Sequence, residues 1–135
     1  MLETNYWAVL VAALAAMVIG MLWYGPLFGK RWMNLAGLTP KSMKKMKLSP
    51  MFAMVLGFVA TLVTAYVLSI SIGVFKLINL PFALKVAFWL WLGFVAPVQL
   101  GVFLWEGKSF KLFVLNTSYN LVSLLAMAAI LASWP

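Results

Sequence analysis

One face of the last apolar run collects the side chains best placed to do chemistry. Asn116, Tyr119, Asn120 and Ser123 follow at i, i+3, i+4 and i+7, the spacing that stacks side chains on one side of an α-helix. At about 1.5 Å per residue, Asn116 lies roughly 9 Å and Asn120 roughly 15 Å along that helix from Phe110. On the same rise Gln99 lies roughly 9 Å from Trp105, and Tyr24 roughly 9 Å from Lys30. Tyr24, Gln99, Asn116, Tyr119 and Asn120 are therefore expected to share the inner half of the bilayer. An amide facing hydrocarbon is costly, so these groups must face each other, a cavity or a second copy. Two readings stay open. The cluster binds or transports a small apolar, lipid-like or cationic solute; or the chain is a ligand-free accessory subunit whose amides tie helices together, by bonds worth about 0.6 kcal/mol each.

The absences narrow the chemistry. The 135 residues contain no Cys, His or Asp. Thiol, disulfide and iron–sulfur chemistry are excluded, as are ordinary zinc and haem sites and a Ser-His-Asp triad. No catalytic residue, metal or cofactor is expected, and an enzyme is the least favoured class. The acids are Glu3 and Glu106. Glu106 adjoins Trp105 at a helix end, within plausible reach of Lys30, Arg31 or Lys108. It reads as an interfacial ion pair of small worth, or as a carboxylate for a cation or a lipid amine. Four-span multidrug exporters rely on a mid-membrane Glu, and this chain has no charge there. The Gly-rich, Arg-containing motif of small fluoride channels is also missing.

The elements that position these residues follow from composition. The chain is 66% hydrophobic and 9% charged, with mean hydropathy +1.07. A soluble domain carries about 25% charged residues. Four nearly uncharged runs cover 4–29, 48–75, 86–105 and 112–135, each long enough to span a bilayer, which takes about 20 residues. Only helix satisfies the backbone there. Ser49-Pro50 and Asn79 before Pro81 read as helix starts, and Gly107-Lys108 as a break before the last helix. Trp7, Trp32, Trp89, Trp105 and Trp134 fall where aromatic belts form. Pro97, inside the third run, predicts a kink against the carbonyl of Gly93. Small residues mark three contact stripes: Ala8, Ala12, Ala16 and Gly20; Gly57, Thr61 and Ala65; Gly93, Pro97 and Gly101. They can meet within one chain or between copies, so a homo-oligomer is one expectation.

The net charge of +8 reads as topology and lipid attraction rather than nucleic-acid binding. Lys30, Arg31, Lys41, Lys44, Lys45, Lys47, Lys108 and Lys111 fall on one side, Lys76 and Lys85 on the other. The positive-inside rule places the first group in the cytoplasm and both termini outside. The first run lacks a positive n-region and ends in Lys-Arg, so it reads as an uncleaved span. Thr39-Pro40 opens a short segment with Met43 and Met46 on one side and Lys41, Lys44, Lys45 and Lys47 around the other. This basic loop either lies on anionic lipid head groups, each Lys adding about 1 kcal/mol, or is simply solvated. Phe28-Gly29-Lys30-Arg31-Trp32 and Glu106-Gly107-Lys108-Ser109-Phe110 form a faint internal echo.

Trp23-Tyr24-Gly25-Pro26-Leu27-Phe28-Gly29-Lys30, then Trp32 and Ala36-Gly37-Leu38-Thr39, resembles the first-loop signature of a widespread prokaryotic family, domain of unknown function 1761. The third run, Trp91-Leu92-Gly93-Phe94-Val95-Ala96-Pro97, resembles it too, as does the tail with Glu106-Gly107-Lys108, Lys111-Leu112-Phe113, Asn116, Tyr119 and Leu121. The resemblance covers nearly the whole chain. It implies a small four-helix membrane protein and supplies no activity. Two positions depart from the family pattern. Asn120 stands where His is expected, which puts proton-linked chemistry in doubt, and Ala128 follows Met127 where Gly is expected.

The expected fold is all-α: one integral membrane four-helix bundle over residues 1–135, with helices near 5–29, 50–73, 81–105 and 110–134. It is expected to be multi-pass in a prokaryotic cell (inner) membrane, with a basic cytoplasmic loop between the first two helices.

Overall fold

The computed structural model describes residues 5–39, 41–42, 50–74 and 79–134. The elements among them are helical: α1 (Tyr6–Leu22), a π-helical turn (Trp23–Leu27), α2 (Gly29–Ala36), α3 (Pro50–Val74), α4 (Leu80–Leu90), a second π-helical turn (Trp91–Val95), α5 (Ala96–Glu106) and α6 (Phe110–Ser133). Four spans are long and apolar enough to cross a membrane: Tyr6–Leu27, Met51–Gly73, Leu80–Glu106 and Phe110–Ser133. The fold is that of a multi-pass membrane protein. Glu3, Pro40, Met43, Lys44, Lys45, Met46, Lys47, Ser49 and Lys76, which carry several of the sequence expectations, lie outside the described residues.

Helix ends are set by local chemistry. The Asn5 side chain accepts from the N–H groups of Trp7 and Ala8. Asn79 accepts from Phe82 at 2.9 Å, with Pro81 in the first turn where no N–H is needed. Ser109 accepts from Lys111 at 3.2 Å. Gly107 ends α5 at φ 68°, a left-handed conformation that glycine takes without a Cβ penalty. Thr39 and Ser42 cap one another, backbone N–H to hydroxyl at 2.8 and 3.1 Å, and Lys41 between them is exposed.

The first span is not the single helix expected over 5–29. Pro26 has no N–H to bond the carbonyl of Leu22, and its ring crowds that group. The chain responds by inserting a residue. Phe28 N–H bonds the Trp23 carbonyl five residues back at 2.9 Å, and Gly25 leaves helical geometry at φ −111°, ψ −107°. The third span has a similar π turn just before Pro97.

α6 is the hub, packing against α1 and α4 most extensively and also against α2, α3 and α5. Of the most apolar stretch of each span, 33% is buried in the fourth and 6% in the third, which places α6 at the centre of the bundle. Ala12, Ala13 and Ala16 of α1, Ala65, Leu68 and Ile72 of α3, Ala83 and Ala87 of α4, and Leu124, Met127 and Ala128 of α6 form the core. The alanines let backbones approach, which is how helices gain van der Waals contact in lipid.

The α1 stripe is a contact face as expected. The third-span stripe is not: Gly93 and Pro97 are exposed, and nothing lies within 4 Å of a Cβ added at Gly93 or Gly101. Ala83 and Ala87 do the packing instead. Gly93 comes six residues after Ala87, roughly 240° round an α-helix, so the two stripes belong to different faces of the span. In the second span only Ala65 of the stripe is buried, while Gly57 is exposed.

Candidate functional site

The polar face of α6 receives its partners from the broken end of the first span. Tyr24 sits in the π turn and donates its hydroxyl to Asn116 Oδ1 at 2.7 Å. Its ring stands edge-on to Tyr119 (5.2 Å, 68°) and to Trp32 on α2 (5.3 Å, 70°). Edge-to-face pairs at such separations are favourable beyond their buried area. Next to it, Trp23 Nε1–H donates to the Leu115 carbonyl at 3.1 Å.

Two glycines make room for this arrangement. A Cβ at Gly29 would lie 2.7 Å from the Tyr24 carbonyl oxygen, closer than Cβ atoms come. The chain can therefore fold back beside Tyr24 only with glycine there. A Cβ at Gly20 would lie 3.0 Å from the Tyr119 hydroxyl, which donates to the Ala16 carbonyl at 3.4 Å.

The first span and α2 contribute Tyr24, Trp32 and Met17 to a cavity of about 620 Å³; α3 adds Ala53, Met54 and Gly57; α5 adds Gln99; and α6 adds Asn116, Tyr119 and Asn120. The five polar residues singled out from the sequence thus line one cavity. It is an open cleft, with Ala53, Met54 and Gly57 exposed along one side. Tyr24 and Asn116 satisfy each other. The side-chain amides of Gln99 and Asn120 make no hydrogen bond among the described residues, so each offers an N–H₂ donor and a carbonyl acceptor.

Other expectations separate here. Glu106 is exposed and forms no ion pair with Lys30, Arg31 or Lys108 among the described residues. Arg31 instead shares with Lys111 a groove of about 470 Å³ floored by Trp23, Phe28, Leu35, Val114 and Leu115. Arg31 and Lys111 therefore lie at one end of the bundle. Trp7, Trp89 and Trp105 are largely exposed.

Sequence reasoning missed the two tryptophans that clamp α6. Trp23 and Trp91 donate to carbonyls two residues apart, Leu115 and Thr117, the latter at 2.9 Å. Each opens a π turn. The signal was present as Trp-x-Gly with a proline downstream in both runs, Trp23-Tyr24-Gly25 and Trp91-Leu92-Gly93. A helical carbonyl has a second lone pair, so these bonds cost α6 none of its own.

The sequence profile of a family described as Protein of unknown function (DUF1761) matches residues 7–132. No curated protein and no solved structure matches the chain.

Proposed function

The chain belongs to the family described as Protein of unknown function (DUF1761), and from that premise we propose that it binds or transports a small solute through the cavity of Tyr24, Gln99, Asn116, Tyr119 and Asn120. One observation carries this reading: five polar side chains from distant parts of the chain line one cavity, and two of their amides are unpaired among the described residues. A ligand-free bundle gains nothing from unpaired amides, which cost free energy when removed from water. The solute combines apolar surface, for Met17, Met54 and the aromatic rings, with hydrogen-bonding groups for the amides. A lipid-like molecule fits this description, and so does an organic cation stacked on Trp32 and the tyrosines. No catalytic step, metal or cofactor is assigned.

In the proposed orientation both termini face outside a prokaryotic cell membrane and the cavity lies in the cytoplasmic half. The excess of Lys and Arg at the Arg31 and Lys111 end supports it. The groove between those cations supports an anionic lipid partner, phosphate at the charges and acyl chain along Val114 and Leu115.

The rival is a ligand-free accessory subunit, favoured by the Tyr24–Asn116 bond taken alone. Native mass spectrometry of protein released from mild detergent separates the two. The expected result is a defined bound mass that disappears in Asn120→Leu, a change that breaks no bond within the bundle. A bare wild-type protein, or a mass retained in both Asn116→Leu and Asn120→Leu, supports the accessory subunit.

A further inference from the structure

The polar face of α6 continues beyond the cavity to Ser123. This residue is 5% exposed, and its Oγ has no hydrogen-bond partner among the described residues. Three hydroxyls of α3 bond the carbonyl four residues back, Thr61 to Gly57 at 2.8 Å, Thr64 to Ala60 at 3.1 Å and Ser71 to Val67 at 2.9 Å, whereas on α6 Thr117 Oγ1, buried like Ser123, also has no partner among the described residues. That back-bond is the ordinary way a helical hydroxyl is satisfied without water. Ser123 forgoes it and lines a second compartment of about 170 Å³ together with Thr61, Thr64, Tyr119 and Asn120. Tyr119 and Asn120 also line the larger cavity, so the two spaces share that pair as a wall. Ser123 lies thirteen positions after Phe110, roughly 20 Å along the helix, so the compartment sits just past the middle of a hydrocarbon core about 30 Å thick.

The chemistry of the lining is specific. The Asn120 amide can donate, and so can Ser123 O–H once its buried side chain turns toward the space. Thr61 and Thr64 have committed their hydrogens to backbone carbonyls and present lone pairs. No charged residue lines the space, so an ion there would lose its hydration without a counter-charge. A water occupies about 30 Å³ of liquid, so a molecule of a few heavy atoms fits. We infer that this inner compartment is a subsite for a small neutral molecule, or the neutral end of a larger one, that both donates and accepts hydrogen bonds: an alcohol or a primary amide. The inference rests on the proposed solute cavity, with which this space shares Tyr119 and Asn120.

The chain has no cysteine, so a single introduced thiol reports its own surroundings. A thiol reacts as its thiolate, which needs water. Ser123→Cys probes the inner compartment. Gly57→Cys probes the larger cavity, where an added Cβ meets nothing within 4 Å. Ala128→Cys, fully buried, probes the dry core. In proteoliposomes, neutral N-ethylmaleimide is expected to label Ser123→Cys and Gly57→Cys, and to label Ala128→Cys only after SDS is added. A cationic methanethiosulfonate is expected to label Gly57→Cys and spare Ser123→Cys. Acetamide is expected to slow maleimide labelling of Ser123→Cys saturably. If Ser123→Cys is as inert as Ala128→Cys while Gly57→Cys reacts, the inner subsite is wrong and the larger cavity stands. If Gly57→Cys is inert as well, both fall. Labelling of Ser123→Cys by the cation, or indifference to acetamide, overturns the assignment of a neutral hydrogen-bonding guest.

Discussion

At the scale of single residues, the site divides into groups that hold the bundle and groups that face the cavity. Tyr24 belongs to the first kind, since its hydroxyl satisfies Asn116 at 2.7 Å. Tyr24→Phe removes that bond and is expected to lower stability by about 0.6–1 kcal/mol, read from SDS unfolding followed by circular dichroism. Asn120 makes no bond within the described chain, so Asn120→Leu is expected to leave the same unfolding curve unchanged or shift it to higher SDS. Equal losses in the two variants would place Asn120 among the structural groups. Gly29 is a second structural residue. Gly29→Ala drives a Cβ to 2.7 Å from the Tyr24 backbone oxygen and is expected to cost about 1–3 kcal/mol, as overpacking does. Gly57→Ala, in open space, is expected to change stability by less than about 0.5 kcal/mol.

At the scale of elements, the π turns decide where the site residues meet. Pro26 denies α1 its continuation, and the chain recovers through the Phe28-to-Trp23 bond. Pro26→Ala returns an N–H and removes the clash, so the first span is expected to straighten. The Tyr24–Asn116 contact would then be lost. A double-mutant cycle reads this directly: the destabilisation caused by Tyr24→Phe should fall to near zero in the Pro26→Ala background. An unchanged Tyr24→Phe effect would mean that the turn persists without the proline. The kink at Pro97 was legible in the third run because proline's missing donor is a local property. The matching break at Pro26 was not anticipated, because Pro26 lies close to the charged end of a run that still reads as apolar throughout. Trp23 and Trp91 stood out in the sequence only as the first residues of stretches that resemble the family; their carbonyl partners on α6 lie 92 and 26 residues away.

At the scale of the whole molecule, α6 is the most buried span, 33% of its apolar stretch, while all four spans keep apolar side chains outward, Val114 and Val122 of α6 among them, the inverse of a soluble protein and the arrangement lipid requires. Ala87, with no exposed surface, sits in the seam between α4 and α6. Ala87→Leu is expected to cost about 1–3 kcal/mol by overpacking. Gly93→Leu, on the exposed face of the same span, should be tolerated in the isolated chain. The SDS unfolding midpoints of the two variants check this, and a reversal of their order would refute the packing described.

Composition and hydropathy alone determined the four spans, the exclusion of thiol, haem and zinc chemistry, and the polar face of the last helix. Each is a property of residue type or of spacing within one helix, and neither depends on what lies across the bundle. The face that the third span turns inward, the Tyr24–Asn116 bond, the tryptophan clamps and the inner compartment at Ser123 were decided only by tertiary structure. A π turn adds one residue to a helix and rotates everything after it, so the phase of one element against another is set where chains pack.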